Sequence, residues 1–313
     1  MRGWFVFCLA LLWMTPPLSF SAFSAEQIKD RFFVSGDGVL RLTNSKTKES
    51  QRIQYRLPDG TYPDSSHRKI NRLFGVAENS EDSISLRLIS VLDYLEDHEG
   101  LTLSILSGFR SANYNEGLRA KGKMAAKTSL HIEGMAVDLS LDKKKAEKVF
   151  NLVKDMGCCG IGYYHGNSIH IDTGPTRYWD ETTSKVNTDI STNNKRIMVS
   201  TDQDIYKPGE RVVLKLARIT NYPIGIRRQI TAVKEGEKLA SLFLKDQDLK
   251  SQESKGTNPE CLLIHNPRER TYFLTIPENL QSPDKISLQV SFCQKASTEM
   301  PDQIESNRIR IED

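Results

Sequence analysis

The 313-residue sequence predicts an α+β unit, a small antiparallel sheet with flanking helices, followed by an all-β sandwich of immunoglobulin-like type. Three observations predict it. Helical periodicity occurs only in the N-terminal half, where it alternates with short β-runs. Beyond residue 195 strand-like runs follow one another with no long helical pattern, the texture of a sandwich. Between the two lies a polar connector, residues 181–194. A mature length of about 290 residues fits two domains.

The chain opens as a signal peptide over residues 1–24. Arg2 supplies the positive start, residues 4–14 are apolar, Pro16 and Pro17 break the run, and Ala22-Phe23-Ser24 offers small residues for cleavage before Glu26. The 11-residue run is too short for a bilayer span, which takes about 20 residues. Cys8 lies inside it without small residues before it, unlike a lipid-attachment cysteine. The expected product is exported, soluble and free of any stable membrane span.

The α+β unit covers residues 26–180. Arg31-Phe32-Phe33-Val34, Val39-Leu40-Arg41-Leu42 and Arg52-Ile53-Gln54-Tyr55 read as short strands, with turns at Gly36-Asp37-Gly38 and Pro58-Asp59-Gly60. Residues 83–96 read as an amphipathic helix through Leu88, Val91, Leu92 and Leu95, capped by Ser80 or Asp82 and ended at Gly100. A β-run over 101–106 leads into Ser107-Gly108-Phe109-Arg110-Ser111, and 113–120 form a short helix. Residues 121–128 are a basic loop of small residues. Over 135–141, Val137, Leu139 and Leu141 point one way, and Ala136, Asp138 and Ser140 the other. Asp142 caps a second helix, which Gly157 stops. Gly160 to Tyr164 then enters a hairpin turning at His165-Gly166-Asn167. In the returning strand Ile169 and Ile171 face the core, while His170 and Asp172 share the opposite face. Residues 195–313 supply the β-sandwich, with residues 245–258 as a polar loop.

With 43 basic and 40 acidic residues the formal charge is +3, too small and too evenly spread to indicate nucleic acid. Four of the five cysteines lie beyond the leader. Cys261 and Cys293 fall in strand-like runs of one region, which makes a bridge between them plausible in an oxidising compartment; the sequence alone leaves open whether it forms. The adjacent Cys158 and Cys159 are expected to be a buried thiol pair. No CxxC spacing points to cysteine ligation of a metal.

The chemistry lies in Ser129-Leu130-His131-Ile132-Glu133-Gly134-Met135-Ala136-Val137-Asp138 and in Ser168-Ile169-His170-Ile171-Asp172-Thr173-Gly174. Two neutral imidazoles and one carboxylate, His131, His170 and Asp138, make a three-ligand zinc site with a fourth position open. Strand parity places Asp138 on a face with small residues. The strand–helix–strand arrangement brings His170 beside it. Taken singly, each histidine can equally be structural; three such residues on one face favour Zn²⁺.

These segments resemble the zinc murein peptidases of the D-Ala-D-Ala metallopeptidase type, of the lysostaphin/D-Ala-D-Ala-metallopeptidase/sonic-hedgehog superfamily. The resemblance is in particular to exported murein endopeptidases of the murein endopeptidase K type. The Ser-Gly-Phe-Arg-Ser segment through Asn115 and the tail Thr176-Arg177-Tyr178-Trp179 belong to it as well. It runs from about residue 30 to 180 and leaves the β unit uncovered. It implies a hedgehog/DD-peptidase-like fold, zinc ligation by His131, Asp138 and His170, and Arg110 in the cleft, pairing with a substrate carboxylate or stabilising an oxyanion. Asn115 is expected to hold its loop, and Ser129 either to bond at the metal or to structure the turn.

Many such relatives carry Glu three residues before the last ligand, or His two before it; here those positions are Asn167 and Ser168. Asp172 is the first candidate base, or alternatively a hydrogen-bond acceptor for an imidazole N–H. His165 is the second. Glu133, read as turned to solvent, is the third. The sequence therefore reads as an exported zinc peptidase of the periplasm or cell envelope, hydrolysing peptidoglycan stem-peptide or cross-link bonds, with endopeptidase action preferred over D-Ala-D-Ala carboxypeptidase action. The alternative is a catalytically inactive zinc-containing module that binds peptidoglycan or a protein. The β unit is open to wall anchoring, docking of an envelope protein, or lid formation.

Overall fold

A computed structural model describes residues 30–312 except Met124, His165, residues 185–191 and residues 246–259. The signal-peptide reading, the hairpin position of His165 and most of the 245–258 loop lie outside the described residues.

The N-terminal unit runs β1 (Val39–Asn44), β2 (Ser50–Gln54), α1 (Asp64–Leu73), α2 (Leu86–Glu99), β3 (Leu103–Ser107), α3 (Ala112–Ala120), β4 (Ala136–Ser140), α4 (Lys143–Met156), β5 (Gly160–Tyr163), β6 (Ser168–Asp172) and β7 (Arg177–Asp180). Its strands form one seven-stranded sheet, ordered β2-β1-β3-β4-β6-β5-β7. The sheet is mixed, where the sequence led us to expect an antiparallel one. β1 pairs with β3, and β5 with β7, in parallel. Each of these pairs is separated in the chain by at least one intervening strand, so the returning strand runs in the same direction as its neighbour.

The helices are amphipathic elements closing this sheet. In α4, Ala146, Val149 and Val153 are buried; the Asp142 side chain accepts from Lys145 N, and Gly157 ends the helix in the left-handed conformation. α2 begins at Leu86 behind Ser85, later than Ser80 or Asp82 allowed, and ends at a left-handed Gly100. α1 was not legible as a helix, because only Ile70 and Leu73 of its residues are buried. The residues 31–34 are not a strand. Two of their backbone groups are taken by the C-terminal unit, with Asp204 N donating to Arg31 O and Phe33 N donating to Asp204 Oδ2, while Phe32 N donates to Asp30 Oδ1 and Ser90 Oγ donates to Val34 O. The loop that follows is fastened to α2, with Asp37 N donating to Asp97 Oδ2, and both Gly38 N and Tyr55 Oη donating to Asp93 Oδ2. Burial pushes the Asp93 carboxyl up to about 6.

Cys158 and Cys159 form a disulfide, contrary to the expected thiol pair. They sit where α4 turns directly into β5, a bend that brings the neighbouring Sγ atoms together.

The C-terminal unit is all β: β8 (Met198–Thr201), β9 (Ile205–Tyr206), β10 (Arg211–Ala217), β11 (Ile224–Arg227), β12 (Gln229–Lys234), β13 (Glu237–Phe243), β14 (Cys261–Ile264), β15 (Thr271–Thr275), β16 (Ser282–Gln294), β17 (Gln303–Glu305) and β18 (Ile309–Ile311). One sheet is β15-β10-β8. The other runs β13-β12-β16-β11-β14, with β17 and β18 paired to β16 and β9 paired to β18. Val212, Leu214 and Leu274 from the first sheet share one core with Ile226, Ile230 and Leu288 from the second. Cys261 and Cys293 are bridged, which resolves a pairing the sequence left open.

The two units are in contact. Arg87 Nε donates to Asp204 Oδ1 at 2.8 Å, and Arg31 forks onto Glu210 at 2.9 and 2.6 Å. A separate small apolar cluster joins Leu130, Met135 and Ala136 to Met198 and Ala217. Among the described residues no helix is long and apolar enough to cross a membrane.

Candidate metal centre

The sheet register builds most of the site. β4 and β6 are antiparallel neighbours, with Asp138 directly opposite His170. The alternation along β4 that buries Val137 and Leu139 turns Asp138 the other way, beside Ala136. His131 arrives differently, from a compact turn just before β4. Ile132 N donates to Ser129 O, Glu133 N and Met135 N donate to Leu130 O, and Gly134 sits at φ +68°. A side chain at Gly134 would overlap the Ser83 carbonyl oxygen, so this turn admits only glycine there.

Three donor atoms converge. His170 Nδ1 lies 2.9 Å from Asp138 Oδ1 and His131 Nε2 lies 3.3 Å from the same oxygen, while the two ring nitrogens are 3.3 Å apart. The far side of each ring fixes its tautomer. His131 Nδ1 is 2.7 Å from Gly108 O, a carbonyl that only accepts. His170 Nε2 is 2.9 Å from Asp172 Oδ2. Those outer nitrogens therefore carry the protons, and the inner ones turn lone pairs toward each other and toward the Asp138 carboxylate. A cation at the meeting point satisfies all three. Imidazole N–H groups held by a carbonyl and a carboxylate are the usual backing of metal-ligating histidines. The donor set thus fits a divalent metal ion.

The charges of the three donors are coupled. Burial opposes ionisation of Asp138, yet His131 and His170 outweigh it and hold its pKa well below the usual carboxylate range. Burial lowers the pKa of His131. Burial also opposes protonation of His170, but its hydrogen bonds to Asp138 and Asp172 prevail and raise its pKa.

The other residues singled out from sequence fall as follows. Arg110 Nη2 donates to Asp138 Oδ2 at 2.6 Å and its Nε donates to Ser107 Oγ at 2.9 Å, so it backs a candidate ligand. Asp172 is fully buried. It accepts from His170, from Gly174 N at 2.9 Å and from Arg177 through both oxygens at 2.9 and 2.5 Å. Burial opposes its ionisation, but His170 and Arg177 together keep it ionised well below the usual range. That engagement suits an acceptor that orients His170 better than a base. Glu133 is not turned to solvent. It is 7% exposed, because Arg270 reaches it from the β unit at 2.7 Å. Ser129 Oγ accepts from His131 N at 3.4 Å within the turn, and Asn115 Nδ2 donates to Ala126 O at 3.0 Å.

Three further residues border the site. Arg177 was read only as part of a tail motif, and its pairing with Asp172 was missed. Trp179, two residues on along β7, lies with its ring centre 5.2 Å from that of His170. It reaches that position because Gly162 on β5 leaves room: a Cβ there would come within 2.6 Å of the indole. The alternation Arg177-x-Trp179 was the signal for both. Burial, with Asp138 nearby, pushes the Tyr164 phenol up to about 12, which keeps it a neutral hydroxyl.

The segment that carries these residues is similar to known proteins. The family described as Peptidoglycan L,D-endopeptidase MepK matches residues 35–179. Peptidoglycan L,D-endopeptidase MepK from Escherichia coli (strain K12) is 32% identical over 145 residues, 45% of this chain and 79% of the relative. The protein of that name from Shigella flexneri matches to the same extent. The probable peptidoglycan L,D-endopeptidase MepK of Haemophilus influenzae is 37% identical over 78 residues, 25% of this chain and 42% of the relative. With its three-donor centre inside the matched segment, the chain belongs to the MepK peptidoglycan endopeptidase family, and its β unit lies beyond the match.

Proposed function

We propose that this protein is an exported, zinc-dependent endopeptidase that hydrolyses peptide bonds in peptidoglycan cross-links, with the L,D-specificity its relatives' names carry. The observation that supports this most is the convergence of His131 Nε2, Asp138 Oδ1 and His170 Nδ1, each ring backed by an acceptor on its outer nitrogen. Two imidazoles and one carboxylate in a compact set suit Zn²⁺, which harder cations with all-oxygen preferences do not match. When bound, zinc acts as a Lewis acid for the scissile carbonyl and lowers the pKa of water to about 7.

The chain's own residues do the remaining work. Asp172 and Gly108 O fix the ring tautomers. Arg110 pairs with Asp138 and brings positive charge to the site, where an oxyanion develops during amide hydrolysis. Trp179 covers one side of His170 and limits water there. Asp172 is occupied by Arg177 and His170, so we assign the general base to His165, in the segment linking β5 to β6. On this reading His165→Ala lowers kcat about 10²- to 10⁴-fold while zinc affinity stays unchanged. The β unit we read as an immunoglobulin-like sandwich over residues 195–313.

A second reading, a zinc-containing module that binds stem peptides without cutting, is favoured by Asn167 and Ser168 at the positions where many relatives carry a base. Digestion of defined cross-linked muropeptides, with mass spectrometry of the products, separates the two. The enzyme releases stem-peptide fragments and loses that ability in Asp138→Ala. Unchanged muropeptides that nonetheless bind the zinc-loaded protein contradict the enzyme reading.

A further inference from the structure

We propose that the C-terminal β unit is a working part of the metal centre: Arg270, with Lys215, holds Glu133 and thereby the turn that presents His131. The proposal rests on the metal reading above and assigns a role to a unit that the family match does not cover.

Glu133 is two residues after a ligand, inside the turn that carries it, and its side chain is almost fully buried. A buried carboxylate without a cation is strongly unfavourable, so its placement depends on what faces it. Arg270 Nη1 donates to Glu133 Oε1 at 2.7 Å. Lys215 Nζ donates to the Glu133 backbone carbonyl at 3.2 Å and lies 3.7 Å from Oε2. The lysine thus holds the main chain of the turn by a hydrogen bond while its charge faces the carboxylate.

The two cations are rigidly mounted. Lys215 is on β10 and pairs in register with Thr271 of β15. Leu216 N donates to Arg270 O at 2.8 Å, and Arg270 Nε donates to Pro267 O at 2.6 Å. Beside them Ala217 and Met198 of the β unit pack on Leu130, Met135 and Ala136, the residues flanking His131 in the turn and at the start of β4. The same turn is also held within its own unit by Arg110 N donating to His131 O at 3.2 Å and by Ser85 N donating to Gly134 O at 2.9 Å. One wall of the turn is therefore built by the peptidase unit and the other by the β unit. Arg270, Lys215 and Glu133 are positioning residues, acting on the ion through His131.

The test uses full-length protein and competition for Zn²⁺ against a chromophoric chelator, alongside thermal unfolding and kcat and KM on cross-linked muropeptides. Arg270→Gln and Glu133→Gln should each weaken zinc binding by about 10- to 100-fold, the range for groups backing a metal ligand, and lower kcat more than they raise KM. Arg270→Lys, which keeps the charge, should recover most of the affinity. Arg31→Gln breaks another contact between the units, the Arg31–Glu210 fork, and serves as the control: it should lower the unfolding temperature and leave zinc affinity at the wild-type value. Arg270→Gln with wild-type zinc affinity overturns the proposal, and so does a loss of affinity equal to that of Arg31→Gln. A wild-type protein that binds no zinc removes the metal reading itself, and this proposal with it.

Discussion

The two histidines of the centre are held by opposite means. His170 lies in mid-sheet on β6, in register with Asp138, and its backing partner Asp172 is two residues away on the same strand face. His131 lies in a turn, its backing partner is the Gly108 carbonyl, and the turn is braced from the β unit by Arg270, 137 positions from Glu133. One ligand is placed by local geometry that propagates along a strand; the other is placed by tertiary contacts converging on a loop. The strand ligand is accordingly expected to respond to changes nearby, and the turn ligand to changes far away.

The largest effect tests whether both sides belong to one centre. His131→Ala, His170→Ala and Asp138→Ala should each abolish stoichiometric zinc and reduce kcat/KM on the order of 10³-fold or more. If only the strand pair mattered, His131→Ala would keep its metal.

Next comes the turn itself. Gly134→Ala places a Cβ against the Ser83 carbonyl at positive φ and should cost about 3 kcal/mol or more. Chemical denaturation measures this, and the loss should be accompanied by weaker zinc binding. The strand-side counterpart, Gly162→Ala, meets a side chain, Trp179, which can swing away; its cost in the same assay should be about 1–3 kcal/mol.

Asp172→Asn then probes the strand side alone. The amide no longer enforces the His170 tautomer and leaves Arg177 without its carboxylate. Zinc affinity should fall about 10- to 100-fold, with the fold of the β unit unchanged by circular dichroism. Wild-type affinity in this variant would remove the asymmetry drawn here.

A separate effect lies outside both ligands, at Asp93 under the Gly36–Gly38 loop. Its pKa in the folded protein is about 6 against an ordinary 3.8, with burial the main cause. Between these values the folded state binds more protons than the unfolded state, so stability falls as pH rises through that window. Asp93→Asn removes the penalty. The variant should be up to about 3 kcal/mol more stable than wild type at pH 7.5 and lose that advantage near pH 4. Equal unfolding curves at both pH values would contradict the burial argument.

The same contrast explains what the sequence disclosed. Asp138 beside a small residue and His170 facing with Asp172 follow from strand parity, and the Asp142 cap and the stops at Gly100 and Gly157 from the chemistry of single cap residues; both kinds of signal are local. The burial of Glu133 was not legible, since its cations come from β10 and from the residue just before β15. Residues 31–34 look like a strand in isolation, but their backbone groups bond Asp204 of the β unit and the side chains of Asp30 and Ser90 rather than a neighbouring strand. The parallel pairings of β1 with β3 and β5 with β7 depend on connection paths rather than on the composition of any strand. Asp172 falls between the two cases: parity placed it beside His170, but the Arg177 pairing that occupies it comes from the next strand.

The central claim is a single metal centre made by His131, Asp138 and His170. The most direct test is zinc stoichiometry of the full-length protein and its three ligand variants, measured by elemental analysis after equilibration with limiting Zn²⁺. The account predicts one ion per chain in the wild type and a loss of that ion in each variant. Equal zinc content in all four proteins would contradict it.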